Sequence, residues 1–160
     1  AYTYNEPMIA YEYIRDTGRL IREAGMVNVI VTNGQAEVSV LERILPVTDA
    51  MNIDLKGFSQ ECYKPLNGSF EMAKDFIKRA AESCHVELTT LIVPGISDDL
   101  SDMEKEAEWI ASIDPDIPLH ITRFFPRYKM GDLAATDISL MEDLKKIAGR
   151  KLTRVSLGNV

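Results

Sequence analysis

The chain has 160 residues, of which 46% are hydrophobic and 27% are charged, the composition of a soluble globular protein that can bury a core. Eighteen basic and twenty-five acidic residues give a net charge of −7, which argues against a general binder of nucleic acid or of anionic membranes. Cys62 and Cys84 lack CxxC spacing and no apolar run reaches membrane-spanning length, so we expect free thiols and a cytoplasmic protein. We expect one domain over residues 1–160.

Six segments with the character of strands follow one another, separated by segments with helical spacing. In chain order the strands are AYTY, VNVIVTNG, AMNIDLKG, VELTTLIVPG, LHITRFFP and RVSLGN. The helices are predicted from Pro7 to Gly25, over residues 39–45, and after Ser69, Ser101 and Ser139. Ser69 is expected to cap its helix, while SDME at 101–104 and SLME at 139–142 have the spacing of capping boxes.

This alternation predicts repeated βα units, a parallel sheet and right-handed crossovers. A doubly wound open sheet and an α/β barrel both fit. A Rossmann domain would show G-x-G-x-x-G after its first strand, and the sequence has neither that motif nor a P-loop. Because a full eight-unit barrel needs about 250 residues, we favour a partial, TIM-like (β/α)6 barrel. Its longest irregular segment, residues 126–137, is a candidate active-site loop.

The strand AMNIDLKG carries an acid and a base on one face. Its apolar residues alternate with Asn52, Asp54 and Lys56, as in a strand with one polar side. Asp54 and Lys56 could be a satisfied ion pair, or could face water at an edge. Alternatively they could line a polar site, because chemistry in parallel α/β folds gathers beyond the carboxyl ends of the strands.

Polar residues also follow other strands. Asn5 and Glu6 precede Pro7 and could simply cap the first helix. Thr32 and Asn33 could be only a strand-ending turn. Neither histidine has a partner at ligand spacing, so no metal site is predicted.

Taken together, YTYNEP, VIVTNG, NIDLKG, TTLIVPG and RFFPRYKM resemble the radical S-adenosylmethionine (SAM) superfamily. The likeness is greatest to its pyruvate formate-lyase activating enzyme-like branch, including the radical SAM protein of the AmmeMemoRadiSam system. It runs over nearly the whole chain in consistent order, and five motifs in register are more specific than any one of them. The family fold is a partial (β/α)6 barrel.

The resemblance implies roles for individual residues. Glu6 would accept a hydrogen bond from the SAM amino group, with Asn5 supporting it. On the same grounds Lys56 would pair with the SAM carboxylate. The remaining implied residues are Thr32 and Asn33 beside the ribose, Asp54 holding a cation or orienting the lysine, and Arg123 with Tyr128 and Lys129 near the adenosine and the substrate.

The family also implies a [4Fe–4S] cluster held by a CxxxCxxC loop after the first barrel strand, which the two cysteines cannot supply. That loop is expected before Ala1, which would make this chain the C-terminal part of an enzyme lacking its first βα unit. The resemblance also implies a histidine near position 125, where this chain has Phe125.

Our leading hypothesis is therefore a radical SAM enzyme that forms a 5′-deoxyadenosyl radical and acts on a substrate such as a protein glycine, with this fragment inactive alone. A second hypothesis is a cluster-free α/β domain that binds a nucleotide-like ligand or a partner protein. A lyase using Lys56 as a Schiff-base amine is a third, opposed by Asp54, which would keep the lysine protonated. An exposed barrel edge predicts self-association.

Overall fold

A computed structural model describes all residues of the chain, 1–160. The α-helices are α1 (Tyr11–Glu23), α2 (Val38–Ile44), α3 (Gln60–Tyr63), α4 (Phe70–Ala81), α5 (Leu100–Ile113) and α6 (Ile138–Ala148). The strands are β1 (Val29–Thr32), β2 (Ala50–Asp54), β3 (His85–Ile92), β4 (Leu119–Arg123) and β5 (Val155–Gly158). Short 3₁₀ helices span Pro7–Ala10, Leu45–Val47, Lys64–Leu66 and Tyr128–Met130. None of the helices has both the length and the apolar character needed to cross a membrane.

The strands form a five-stranded sheet in the order β1-β2-β3-β4-β5. The pairs β1–β2, β3–β4 and β4–β5 are parallel, with Val29 opposite Ala50 and Leu119 opposite Val155. The predicted α/β class and parallel sheet are confirmed.

The first predicted strand, AYTY, is reduced to one residue. Tyr2 forms a single parallel bridge with Ile30, donating its N–H to Val29 at 2.8 Å and accepting from Val31 at 2.9 Å. The chain leaves the sheet directly afterwards, and Tyr4 is 91% exposed. The prediction of six full strands was therefore wrong by one, because only one residue of AYTY pairs before the chain turns.

Two compact units make up the chain, the first with residues 1–54 and 69–87 and the second with residues 55–68 and 88–160. Alternate residues of β1 and β2 enter the core of the first unit, and helices α1, α2 and α4 bury one face each there: Ile14, Ile30, Leu41, Met51, Ile53, Phe76 and Ile77. In the second unit, buried side chains of β3, β4, α5 and α6 form the core: Leu88, Ile92, Ile110, Leu119, Ile121, Met141 and Leu144. A single domain over residues 1–160 stays a prediction.

The helix caps agree with the sequence at one of three positions. Ser69 caps α4 as predicted, accepting from the Met72 N–H at 3.2 Å. The other two predicted capping boxes were wrong, because a carboxylate two residues earlier takes the role in each helix. Asp99 caps α5 and Asp137 caps α6, and both accept backbone N–H groups that would otherwise lack partners.

Candidate functional site

Glu6 joins the N-terminal segment to the end of β1. It precedes the 3₁₀ helix Pro7–Ala10, and one carboxylate oxygen accepts the Met8 N–H at 3.1 Å. The same oxygen accepts the Thr32 hydroxyl at 2.6 Å, and the other oxygen accepts the Asn33 N–H at 2.8 Å. The structure thus brings together Glu6, Thr32 and Asn33 of the predicted site. The carboxylate oxygen that accepts the Asn33 N–H has a second lone pair, which can accept a hydrogen bond from a ligand.

The backbone around Gly34 fixes this arrangement. Thr32 is buried, and its hydroxyl accepts the Gly34 N–H at 3.2 Å while it donates to Glu6. Gly34 has φ +66°, a conformation that glycine adopts without steric cost. The Asn33 side chain accepts the Gln35 N–H at 2.8 Å, which completes an Asx turn. Thr32 therefore orients Glu6, and its role beside a ribose stays a prediction.

A cavity of about 320 Å³ opens beside Glu6 in the first unit. Met8, Ile9 and Tyr11 give it an apolar side, while Glu6 and Glu37 give it two carboxylates. A site with two acids and no base favours a ligand group that is positively charged, such as an ammonium.

Asn5 and Asp54 lie in the same unit as Glu6. Asn5 is exposed and forms no hydrogen bond with Glu6, so the predicted support is absent from this conformation. Asp54 is the last residue of β2 and is half-buried.

Lys56 belongs to the second unit and follows the buried Leu55. Its backbone N–H donates to the Tyr63 hydroxyl at 3.1 Å, and the Leu55 N–H donates to the Thr89 carbonyl at 2.9 Å. These bonds hold the backbone of the lysine against α3 and β3. The predicted alternation from Met51 to Lys56 is confirmed, since its odd-numbered residues are buried and its even-numbered residues are half-buried.

Arg123 ends β4 in the second unit. Its Nε donates to the Thr136 carbonyl at 2.7 Å, and its guanidinium carbon lies 4.8 Å from the centre of the Phe125 ring. Arg127 shares a cavity with these residues and was not among the predicted site residues. An acid-free stretch between Asp116 and Asp132 is the sequence signal that could have found it.

Glu106 is a buried carboxyl group that the sequence did not reveal. It lies in α5 and accepts the Thr90 hydroxyl at 2.5 Å. Burial raises the pKa of Glu106 to about 7, against the opposing effect of the Thr90 hydrogen bond. Many charged residues surround it in the sequence, DMEKEAE. Its position three residues after Met103 and four before Ile110 puts it on the buried face of α5, and this spacing is the signal that could have found it.

The cysteines do not form a cluster site. No group of three or more His, Cys, Asp or Glu side chains is arranged to hold a metal. Cys62 is buried and its Sγ donates to the Ile96 carbonyl at 3.2 Å. Burial raises the pKa of the Cys84 thiol to about 11, which disfavours the thiolate that a metal requires. The residues present therefore do not fit a [4Fe–4S] cluster.

A family model described as the radical SAM superfamily matches residues 1–110. The chain belongs to the radical SAM superfamily. Full-length members of this family use SAM and a [4Fe–4S] cluster, and the predicted resemblance is confirmed at this level.

Individual relatives agree with this assignment. The "uncharacterized protein MJ0808" of Methanocaldococcus jannaschii is 38% identical over the whole chain, which covers 48% of that protein. Pyruvate formate-lyase 1-activating enzyme of Escherichia coli K12 is 32% identical over 59% of this chain and 40% of its own length. The chain thus spans about half or less of the length of these curated relatives.

A solved structure supports the fold. The crystal structure of a domain of pyruvate-formate lyase-activating enzyme from Bacteroides vulgatus ATCC 8482 superposes with a TM-score of 0.81. The match covers 99% of this chain and 97% of that domain at 19% identity. The partial, TIM-like radical SAM fold predicted from the sequence is confirmed.

Proposed function

We propose that this chain supplies SAM-binding residues to a cytoplasmic radical SAM enzyme. The intact enzyme would add one electron to SAM, break the bond between sulfur and C5′, and release methionine and a 5′-deoxyadenosyl radical. The radical would take a hydrogen atom from the substrate. The electron would come from an iron–sulfur cluster that these residues do not hold, so the chain alone should be inactive.

The placement of the Glu6 carboxylate carries this proposal. Three internal hydrogen bonds fix its position at the end of β1, and one oxygen retains a lone pair beside a cavity. An ammonium group is a fitting donor to that lone pair, because charge-assisted hydrogen bonds are about twice as strong as neutral ones. SAM carries such a group on its methionine part. SAM also carries a carboxylate, which would bind a cationic side chain. We propose Lys56 for that role on the basis of the resemblance.

Calorimetric titration of the chain with SAM tests this assignment. We expect SAM to bind the wild-type chain. Its affinity should fall about tenfold or more in Glu6→Gln and in Lys56→Ala, because each substitution removes one charged side chain that would contact the ligand. Glu23→Gln and Lys78→Ala change exposed residues of α1 and α4 and serve as matched controls. Equal affinity in the two test variants and the two controls would refute the assignment.

Iron–sulfur reconstitution tests the proposed inactivity. After incubation with iron and sulfide, iron and acid-labile sulfide analysis of the purified chain should find no four-iron cluster. A stoichiometric cluster on these 160 residues would refute the proposal that the cluster ligands lie outside this chain.

We further propose that the substrate is a glycine residue of another enzyme. Support comes from the similarity to the E. coli protein, whose name describes an activating enzyme. The intact enzyme should transfer deuterium from an α-deuterated glycine in the partner to 5′-deoxyadenosine, as detected by mass spectrometry. Deuterium recovered only from other positions would contradict this substrate.

A cluster-free function remains the second candidate. It is favoured by the absence of three clustered metal-ligating side chains in residues 1–160. In that case the chain binds a nucleotide-like ligand or a partner protein, and SAM affinity is indifferent to the changes at Glu6 and Lys56.

A further inference from the structure

The second unit contains a cavity apart from the Glu6 cluster. Its volume is about 450 Å³, within the range of small-molecule sites. It lies at the carboxyl ends of β3, β4 and β5, and its lining consists of Leu91, Arg123, Phe124, Phe125, Arg127 and Asn159. Two of its six residues are arginines and none is acidic.

The guanidinium groups of Arg123 and Arg127 make few charged contacts within the protein. Neither Arg123 nor Arg127 forms an ion pair. Arg123 uses only its Nε in a hydrogen bond, to Thr136. The pKa of Asp137 is lowered chiefly by the Ser139 hydroxyl, and this carboxyl is near enough to Arg123 for the guanidinium to contribute as the smallest cause. Asp137 is itself engaged at the start of α6, where it accepts the N–H groups of Ser139 at 2.7 Å and Leu140 at 3.4 Å.

The surrounding chain carries charge of the opposite sign to the whole protein. Between Asp116 and Asp132 the sequence has Arg123, Arg127 and Lys129 and no acid, whereas the complete chain has a net charge of −7. A cationic concavity in an acidic protein concentrates anions locally and repels cations.

We propose that this cavity binds the oxyanion, carboxylate or phosphate, of a ligand with an apolar body. The planar guanidinium groups match the paired oxygens of either anion. Phe125 is 44% exposed and Leu91 is 36% exposed, so both offer apolar surface to the rest of the ligand.

Amide chemical-shift titration of the full chain measures this binding without SAM. The probes are benzoate and phenyl phosphate, with benzamide as the neutral analogue of benzoate. We expect one or both anions to shift the amides of Leu91, Phe125 and Asn159, and benzamide to leave them unchanged. Comparison of the two affinities identifies the preferred oxyanion, and added salt should weaken both.

Charge-removing variants locate the site. Arg127→Gln changes an exposed residue and should weaken binding about fivefold to tenfold, and Arg123→Gln at least as much. Arg19→Gln, an exposed arginine of α1, should have no effect. If neither anion binds, or if Arg127→Gln binds as wild type does, the proposal is overturned. A chain that binds these anions but not SAM would refute the proposed function and leave this site intact.

Discussion

The charged side chain at the end of β1 and those at the ends of β3 to β5 differ in how many protein groups they contact. At the end of β1 the Glu6 carboxylate is held by three donors of the protein. At the ends of the later strands, Arg123 and Arg127 have no ion pair and face a cavity. The first arrangement is largely satisfied by the fold itself, whereas the second leaves hydrogen-bond donors that a ligand can use. Polar residues at strand ends thus include both scaffold and recognition groups, and hydrogen-bond partners distinguish them.

Removal of the Glu6 carboxylate should have the largest effect on stability. In Glu6→Ala the buried Thr32 hydroxyl and the Asn33 N–H lose their acceptor, so we expect the free energy of unfolding to fall by about 3 kcal/mol. Urea denaturation measures the loss. Arg127→Gln, at the contrasting site, should stay within about 0.5 kcal/mol of wild type. Comparable losses in the two variants would remove the distinction between scaffold and recognition groups.

Glu106 extends the comparison to a carboxyl group with a single neutral donor. Burial raises its pKa from 4.5 to about 7. The folded state therefore holds an extra proton between about pH 4.5 and 7, and stability falls as the pH rises through that window. The full loss is roughly 3 kcal/mol or less, since one pKa unit corresponds to about 1.4 kcal/mol.

Urea denaturation of Glu106→Gln at several pH values checks this dependence. The variant should lose the decline between about pH 4.5 and 7 and should be more stable than wild type at the upper end. Glu104→Gln changes an exposed residue of the same helix and should retain the decline. The same pH dependence in wild type and Glu106→Gln would count against the buried carboxyl as its source.

Substitution of Gly34 should have a smaller effect, about 2 kcal/mol. An alanine Cβ there would lie 3.1 Å from the Ile53 side chain, in a backbone with φ +66°. Gly25→Ala is the matched control, because Gly25 has φ +73° with nothing within 4 Å. It should lose only about 1 kcal/mol for the left-handed backbone. Thermal denaturation measures both, and equal losses would mean that Ile53 yields without cost.

Self-association should be the weakest effect. In the first unit Ile9 is 82% exposed, Leu20 is 64% exposed and Val27 is 69% exposed. Such apolar surface favours contacts between copies. Leu20→Lys should weaken association about tenfold, as measured by sedimentation equilibrium. A monomer at all concentrations in the wild-type chain would contradict the prediction.

Much of the fold could be predicted because hydrophobic periodicity follows directly from burial. The alternation in residues 50–56 and the apolar face of α4 both have this origin. The boundaries were harder to predict, because competing caps lie within two residues of each other. At α5 and α6 a serine and an aspartate were both available, and the aspartate is used in each. The four-residue helix α3 is too short to show periodicity.

The candidate site was only partly predictable. Glu6, Thr32 and Asn33 could be grouped because parallel strands place their carboxyl ends at one edge. The sequence could not show that Thr32 is buried and donates to Glu6, because that depends on how the N-terminal segment returns to β1. Nor could it place Arg127 beside Asn159, since the two residues are distant in the chain and meet only through folding.

The most direct test of the account is an amide-resolved titration of the chain with SAM. The Asn33 N–H donates to the Glu6 oxygen that would receive the ligand's ammonium group, so its resonance reports on that contact. We predict saturable shifts at Asn33 and Gly34 with SAM, and smaller ones with 5′-deoxyadenosine, which lacks the amino-acid part. Unchanged resonances at residues 32–34, or equal shifts with both compounds, would contradict a SAM site built on Glu6.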